Sequence, residues 1–330
     1  MSGRKVLSVA AAVAGTVLFM ALAAHNVDFS QLRRILAAAR WRWLPAMVFI
    51  VLFADLGLRA LRWRILLSEA VKAPLGKLYR LSAIGLAVNN LLFARLGELL
   101  RAVLASRELG VPWETALASV VVERALDVAA LLSLFVFAST WLPDLVPLPV
   151  RNGGIVVLAG VLAALAFLTM AERTLEPGGL VESRLRSWPK AHELVAHLAL
   201  GAAVLRRPPA LLQVVGLSLG LWAVDAMVFW IGAYALGLQE FIDYPRAILV
   251  LSWGGAGSAL PAVPGALGTF EAMIKSIVTT LGASPDQAFA YAVFLHMCSY
   301  ILVTTVGLIF LYRIGLSLSG IKESLRSQKP

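Results

Sequence analysis

Ionisable residues inside long apolar runs need explaining first, because a charge at the centre of a bilayer costs at least about 2.5–3.5 kcal/mol on insertion scales and needs a partner or a purpose. The densest group is Glu123-Arg124-x-x-Asp127. Glu123 and Asp127 share a helical face, and Arg124, three before Asp127, can neutralise one of the two carboxylates. This spacing serves a headgroup or proton site with one carboxylate to spare, and equally a structural ion triplet. Upstream, Asn89, Asn90, Arg95, Glu98 and Arg101 surround an interruption in another apolar run. Arginine beside the freed N–H groups of a returning helix suits a phosphate oxygen, whereas Arg95 and Arg101 on an amphiphilic arm would simply face water. A third group is Pro261-x-x-Pro264-Gly265-Ala-Leu-Gly268-Thr269-Phe-Glu271, followed by Lys275. Its prolines stop one helix, its glycines allow an unwound loop, and Glu271 and Lys275 are spaced for an i,i+4 pair. Asp55 and Arg59 are also four apart, whereas Asp225 has no local partner and would answer Arg124, Lys275 or His296 across a bundle. Asp127, Asp225, Glu271 and His296 are therefore the candidate coupling groups, although a single membrane histidine also serves as a satisfied core polar group.

The soluble-enzyme motifs are missing: there is no Gly-x-Ser-x-Gly, no P-loop, and no dinucleotide fingerprint after a strand. The single cysteine, Cys298, excludes a disulfide framework and a cysteine metal site. His192 and His197 are five apart, which puts them on different helical faces and spoils a zinc-protease reading. No catalytic residue, metal or cofactor is expected. The alternatives to a transporter are a membrane enzyme using Glu123, Asp127 or Glu271 as acid or base, and a non-catalytic scaffold in lipid or envelope-glycan assembly.

The elements that must position these groups are membrane helices. Of 330 residues, 60% are hydrophobic and 15% charged, the net charge is +10, and the mean hydropathy is +0.83. That composition belongs to an integral membrane protein whose cationic loops face anionic lipid, with no nucleic-acid partner. Apolar runs predict six crossings: Val6 to Ala24, kept as an uncleaved span, then Leu44 to Ala60, Ala116 to Trp141, Gly154 to Met170, Leu211 to Leu236 and Ala288 to Leu311. Two further runs, Leu78 to Gly110 and Ala247 to Gly282, are broken into arms too short for a ~30 Å core and read as hairpins that enter the membrane and return.

With the N-terminus inside, all but eight of the 29 Lys and Arg fall inside, the exceptions being Arg33, Arg34, Arg40, Arg42, Arg151, Arg246, Lys275 and the intramembrane Arg124. Both termini are therefore expected in the cytoplasm. Asp28 to Trp43, with four arginines outside, reads as a surface-lying amphipathic helix. Leu109-Gly110-Val-Pro112-Trp-Glu114-Thr-Ala116 matches Leu281-Gly282-Ala-Ser-Pro285-Asp286-Gln-Ala288 at an offset of 172 residues, and Gly97-Glu98 pairs with Phe270-Glu271 at 173. Each half reads span, span, broken hairpin, span, so the odd crossing number inverts the second half. The expected fold is an all-α polytopic membrane protein of two inverted repeats, residues 1–150 and 151–320. A solvated amphipathic cytoplasmic linker, 171–209, sits within the second repeat, and a basic tail, 321–330, follows it.

Four pieces in order carry a resemblance: Arg62-Trp63-Arg64 closing the second span, Asn89-Asn90 with Arg95-Leu-Gly97-Glu98-x-x-Arg101, Glu123-Arg124-x-x-Asp127, and Pro264-Gly265-x-x-Gly268-x-x-Glu271. Over nearly the whole chain, the sequence resembles the flippase-like family typified by the membrane region of bacterial lysylphosphatidylglycerol synthases. The resemblance implies an inner-membrane translocator of phosphate-bearing or aminoacylated lipid, of a phospholipid, polyprenyl-linked or hopanoid type. Expected headgroup-binding residues are Asn90, Arg95, Glu98, Arg101, Glu123, Arg124, Asp127, Gly265, Gly268, Glu271 and Lys275. Expected partners are anionic or polyprenyl-phosphate lipids, lipid-modifying enzymes or glycosyltransferases, and a second copy in an oligomer. The synthases' soluble aminoacyl-transfer domain has no counterpart before Pro330, so synthase activity is not expected, and Phe93-Ala94 replace a proline frequent in the family's first hairpin.

Overall fold

With so little polar surface, the chain must satisfy its backbone N–H and C=O groups internally. A computed structural model, describing residues 3–92, 95–174, 189–259 and 264–315, does this entirely with helices, and no strand occurs among the described residues. The helices are α1 (Gly3–Ala24), α2 (Phe29–Ala37), α3 (Leu44–Phe49), α4 (Leu56–Leu66), α5 (Leu75–Leu91), α6 (Leu96–Leu109), α7 (Trp113–Trp141) and α8 (Leu148–Thr174). After a gap come α9 (Pro189–Ala202), α10 (Pro208–Leu236), α11 (Tyr244–Ala259), α12 (Thr269–Thr280) and α13 (Pro285–Arg313). The middle of the expected linker (175–188), the basic tail, Phe93-Ala94 and Pro261 lie outside the described residues.

Local sequence accounts for most helix ends. Asp28 caps α2 by accepting from the Ser30 and Gln31 N–H groups at 2.7 and 3.4 Å, and hydrogen bonding from Ser30 holds its carboxyl below the usual range. Ser284 and Gln287 form a capping box around Pro285 at the start of α13. Gly110 and Gly237 close α6 and α10 with φ of 71° and 74°, a conformation that spares glycine the Cβ penalty.

Four stretches are long and apolar enough to cross a membrane: Trp41–Leu66, Leu148–Met170, Pro208–Leu236 and Pro285–Arg313. The first is not the uniform helix the sequence predicts. A 3₁₀ turn (Trp41–Trp43) leads into α3, and a π-helical stretch (Ile50–Asp55) separates α3 from α4. The wider π-turn frees backbone carbonyls, and the Tyr79 hydroxyl donates to that of Leu52 at 2.5 Å. On α8, Val156 and Leu162 are exposed, which suits hydrocarbon rather than water.

Both predicted interruptions are present. Between α5 and α6, Arg95 turns the chain in the left-handed conformation (φ 51°, ψ 38°), and Asn89 Oδ1 accepts the Gly97 N–H at 2.8 Å, capping the returning helix. Between α11 and α12 a 3₁₀ turn (Pro264–Ala266) uses Gly265 and Gly268 at φ 60° and 87°. The arms then pack backbone to backbone, because a Cβ on Gly97 would lie 1.9 Å from the Gly85 carbonyl oxygen, and one on Gly257 would lie 2.8 Å from that of Thr269. Both hairpins lean on α13, where a Cβ on Gly307 would meet the Ala83 carbonyl at 2.3 Å and one on Gly265 would meet the Tyr300 ring at 2.6 Å.

Two apolar cores flank this seam. One joins α3 and the later halves of α10, α11, α12 and α13, with Tyr291 and Ile274 at its centre; the other joins α4, α5, α6 and the start of α7, around Trp63 and Leu100. The expected solvated linker is instead packed over its second half: Ala199 and Ala202 of α9 are buried, and Gly201 sits where a Cβ would be 2.7 Å from Ala118 of α7. Gly97→Ala should cost about 1–3 kcal/mol through overpacking. Gly76→Ala, whose added carbon meets nothing within 4 Å, should leave the melting temperature of the purified protein unchanged. Equal melting temperatures for the two variants would contradict the close approach of α5 and α6.

Candidate functional site

The ion cluster assembles from four helices. Arg62 of α4 is fully buried and reaches Asp127 of α7 at 2.7 Å and Glu123 at 3.3 Å. Arg101 of α6 pairs with Glu123. Its guanidinium lies 3.7 Å from the ring centre of Trp63, whose indole N–H donates to Ser119 at 3.0 Å. Arg124 reaches Glu123 and Asp127, both at 2.9 Å, and Glu98 at 3.8 Å. From α10, Ser218 accepts from Arg62 at 3.0 Å and the Trp222 indole donates to Asp127 at 3.2 Å. Thus α4, α6, α7 and α10 are tied by charge-assisted bonds that would be lost if any one of them moved away.

Exposure divides the cluster into a floor and a rim. Arg62, Arg101, Glu123 and Asp127 are buried, so their charges are committed to one another. The side chains of Arg124, Glu98 and Arg95 keep 28%, 21% and 52% of their surface. Three guanidiniums meet two carboxylates in the inner group, leaving one positive charge that Glu98 only partly offsets from 3.8 Å. Several donors also stay unsatisfied, including Nε of Arg62, Arg101 and Arg124. Arg95 stands 3.9 Å from Glu98 and donates to the Ser258 carbonyl of α11 at 3.2 Å, so the first break touches the second hairpin. This rim is a membrane-depth surface of net positive charge fit for an anionic oxygen.

The second break carries a different pair. Glu271 is buried at the start of α12; one oxygen accepts the Gly268 N–H at 2.7 Å and the other lies 2.6 Å from His296 Nδ1. His296 stacks at 4.6 Å on Phe270 and stands 5.9 Å from Tyr300. The Tyr300 hydroxyl donates to the Asn90 carbonyl at 3.1 Å, and the Asn90 amide donates to Thr304 at 2.9 Å. Asn90 is thereby occupied in tying α5 to α13, and Gly265 and Gly268 serve as backbone hinges.

Two expected pairings are corrected. Lys275 does not meet Glu271; its ammonium donates to the carbonyls of Ala23, at 2.9 Å, and His25, closing the end of α1. Glu271 prefers the Gly268 N–H and His296 because tertiary partners reach it without the bending that an i,i+4 pair requires. Asp225 answers none of Arg124, Lys275 or His296; it lies half-buried within electrostatic reach of Asp55, Arg59 and Asp127, with no ion pair inside 4 Å among the described residues. Arg59 is bound to Asp55 at 2.9 Å, as its spacing predicts. The site residues the sequence reading overlooks are Arg62, Ser218 and Trp222. Arg62 stands seven after Asp55 and three after Arg59, a single helical stripe that marks it as facing the same interior. No metal-holding group of His, Cys, Asp and Glu occurs among the described residues.

Arg62→Ala should leave two buried carboxylates short of a partner and cost about 3–5 kcal/mol. Arg124→Ala, at the rim, should cost clearly less, and Arg62→Met with Asp127→Leu should recover part of the loss. Denaturant unfolding of the four proteins gives the coupling, and additive losses would remove Arg62 from the cluster.

Comparison with known proteins agrees with this geometry. The chain is 27% identical over 290 residues to a UPF0104 membrane protein of Methanothermobacter thermautotrophicus, covering 80% of this chain and 81% of that one. Residues 6–307 match the family described as the lysylphosphatidylglycerol synthase TM region, so all four helices that carry the ion cluster lie inside the match. The chain belongs to the lysylphosphatidylglycerol synthase TM region family of membrane proteins.

Proposed function

We propose that the chain is a lipid translocator of the inner membrane, moving a phosphate-bearing or aminoacylated lipid between leaflets along the two broken helix pairs. It works as a transporter rather than an enzyme, with both termini in the cytoplasm and six crossings arranged as two inverted repeats around two re-entrant hairpins. The observation that carries this reading is the recurrence of contacts at one offset. Gly85 faces the Gly97 carbonyl and the Arg101 side chain, and Gly257, 172 residues on, faces the Thr269 carbonyl and Met273, each also 172 residues on. Likewise Glu98 and Arg124 are 3.8 Å apart, while their counterparts Glu271 and His296 are 2.6 Å apart. Duplicated broken helices meeting at an interface are the plan of alternating-access transporters, whose sites lie near the midplane.

Arg95, Arg124 and Glu98 form the accessible lining for the headgroup, and the buried Arg62, Arg101, Glu123 and Asp127 hold that lining in place. Where the first half has a permanently charged arginine, the second has a histidine, so the Glu271–His296 pair is the natural place for proton exchange. Asp225 is a second coupling candidate. Lipid-modifying enzymes are the expected partners.

Fluorescent lipids with different headgroups, reconstituted with the protein in vesicles, test this by their accessibility from one leaflet. Wild type should flip them headgroup-selectively. Arg95→Gly, which suits the left-handed turn but removes the charge, should slow transport roughly tenfold or more while keeping the melting temperature. His296→Gln should remove the response to a pH gradient. No movement of any lipid under a pH gradient or a voltage would defeat the proposal.

A further inference from the structure

We propose that the corner where α1 turns into α2 and α12 turns into α13 is a docking site for the phosphate of an anionic membrane lipid, separate from the charge-lined breaks. A cavity of about 440 Å³ opens there, lined by Leu22, His25, Asn26, Lys275, Ser276 and Thr279 among others. That size is typical of small-ligand sites. The Lys275 ammonium is held by two backbone carbonyls, those of Ala23 and His25, which leaves its third N–H unused. No carboxylate lies within 4 Å of it among the described residues, so its charge is positioned by neutral groups and left unneutralised. Ser276 and Thr279 add exposed hydroxyls to the same wall. Of the nearby acids, Asp28 is committed to capping α2, and Asp286, which acts on Lys275 through its field, accepts the Asp28 N–H at 2.8 Å.

The adjoining α2 supplies what identifies the ligand as a lipid. Arg33 and Arg34 are exposed there, with Arg40 and Arg42 just beyond. Phe29 and Trp41, 63% and 53% exposed, flank the arginines. Arginines between exposed aromatics seat a segment at the headgroup level, where each basic residue near an anionic surface favours binding about fivefold. A soluble phosphate would gain nothing from the apolar flank formed by Leu22, Phe29 and Trp41.

The role of this corner as an access point rests on the translocator reading, but docking is measurable without transport. The full chain in detergent is irradiated with phosphatidylglycerol or phosphatidylcholine carrying a headgroup diazirine, and labelled peptides are mapped by mass spectrometry. Phosphatidylglycerol should label residues 272–286 and the 22–34 segment at least about fivefold more than phosphatidylcholine. Lys275→Gln keeps N–H donors for the α1 carbonyls but not the charge, and should abolish that preference. Arg33→Gln with Arg34→Gln, on an exposed helix face that the fold does not depend on, should reduce it several-fold. Excess glycerol phosphate should not compete; if it does, the site takes soluble anions and the lipid assignment falls. Equal labelling by both lipids, or an unchanged preference in both charge variants, would overturn the proposal, whereas failed flipping alone would leave it standing.

Discussion

A charge removed from water must find its counter-charge inside the protein, and the placement of Arg62 follows from that constraint. Its guanidinium is fully buried among Glu123, Asp127 and Ser218, contributed by α7 and α10. The same carboxylates then set the positions of Arg101 and Arg124, so α6 is drawn against α7 by Glu123. Replacing a complete buried ion set by apolar residues can be neutral or stabilising, so stability alone is a weak reason for it. The cluster is better understood as fixing geometry: directional bonds hold four helices in one arrangement, and the half-exposed Arg95, Glu98 and Arg124 inherit that precision.

The second constraint is steric and complements the first. A helix broken inside an apolar layer frees backbone donors and acceptors, and the ends must be covered by protein. At the first break Asn89 takes the Gly97 N–H; at the second the Glu271 carboxylate takes the Gly268 N–H. Close packing of the arms then requires glycine at Gly85, Gly97 and Gly257, where any Cβ would press on backbone or on a neighbouring side chain. Arg95 departs from this economy. It occupies, at an offset of 173, the position that Gly268 fills in the second hairpin, and adopts the left-handed conformation despite its Cβ. A strain of about 1–2 kcal/mol is accepted there to place a guanidinium at the break.

Much of this was legible in the sequence, for separable reasons. Apolar runs locate the helices because nearly every segment is longer than a turn or two of noise, and Pro261 to Gly268 and Asn89 to Gly97 mark the interruptions because proline, glycine and asparagine have specific backbone consequences. The π-helical Ile50–Asp55 stretch left no trace, since it arises from tertiary demand: the Tyr79 hydroxyl on α5 needs a carbonyl and takes that of Leu52. Lys275 and Glu271 were paired by spacing, but the i,i+4 rule describes an isolated helix, and in the fold both have partners from other segments. Arg62 was read as the basic end of a span, although its register with Asp55 and Arg59 already turned it inward. Spacing along one helix gives the face a residue occupies; only the neighbouring helices decide which partner it meets.

The two pairs at the breaks differ in one chemical respect. Glu98 faces an arginine, which stays charged at any accessible pH, from 3.8 Å in a rim that water reaches. Glu271 faces a histidine from 2.6 Å, its other oxygen already bound to backbone. Losing a proton from that pair would leave a buried carboxylate with only one N–H to balance it, so the arrangement of Gly268 and the whole α11–α12 turn is tied to the protonation of His296. The link runs on through Tyr300 to the Asn90 carbonyl, at the last turn of α5 before the Arg95 break. One half therefore carries a fixed charge set to attract an anion, and the other a charge that can be given up, with a chain of side chains between them short enough for a change in one to move the other.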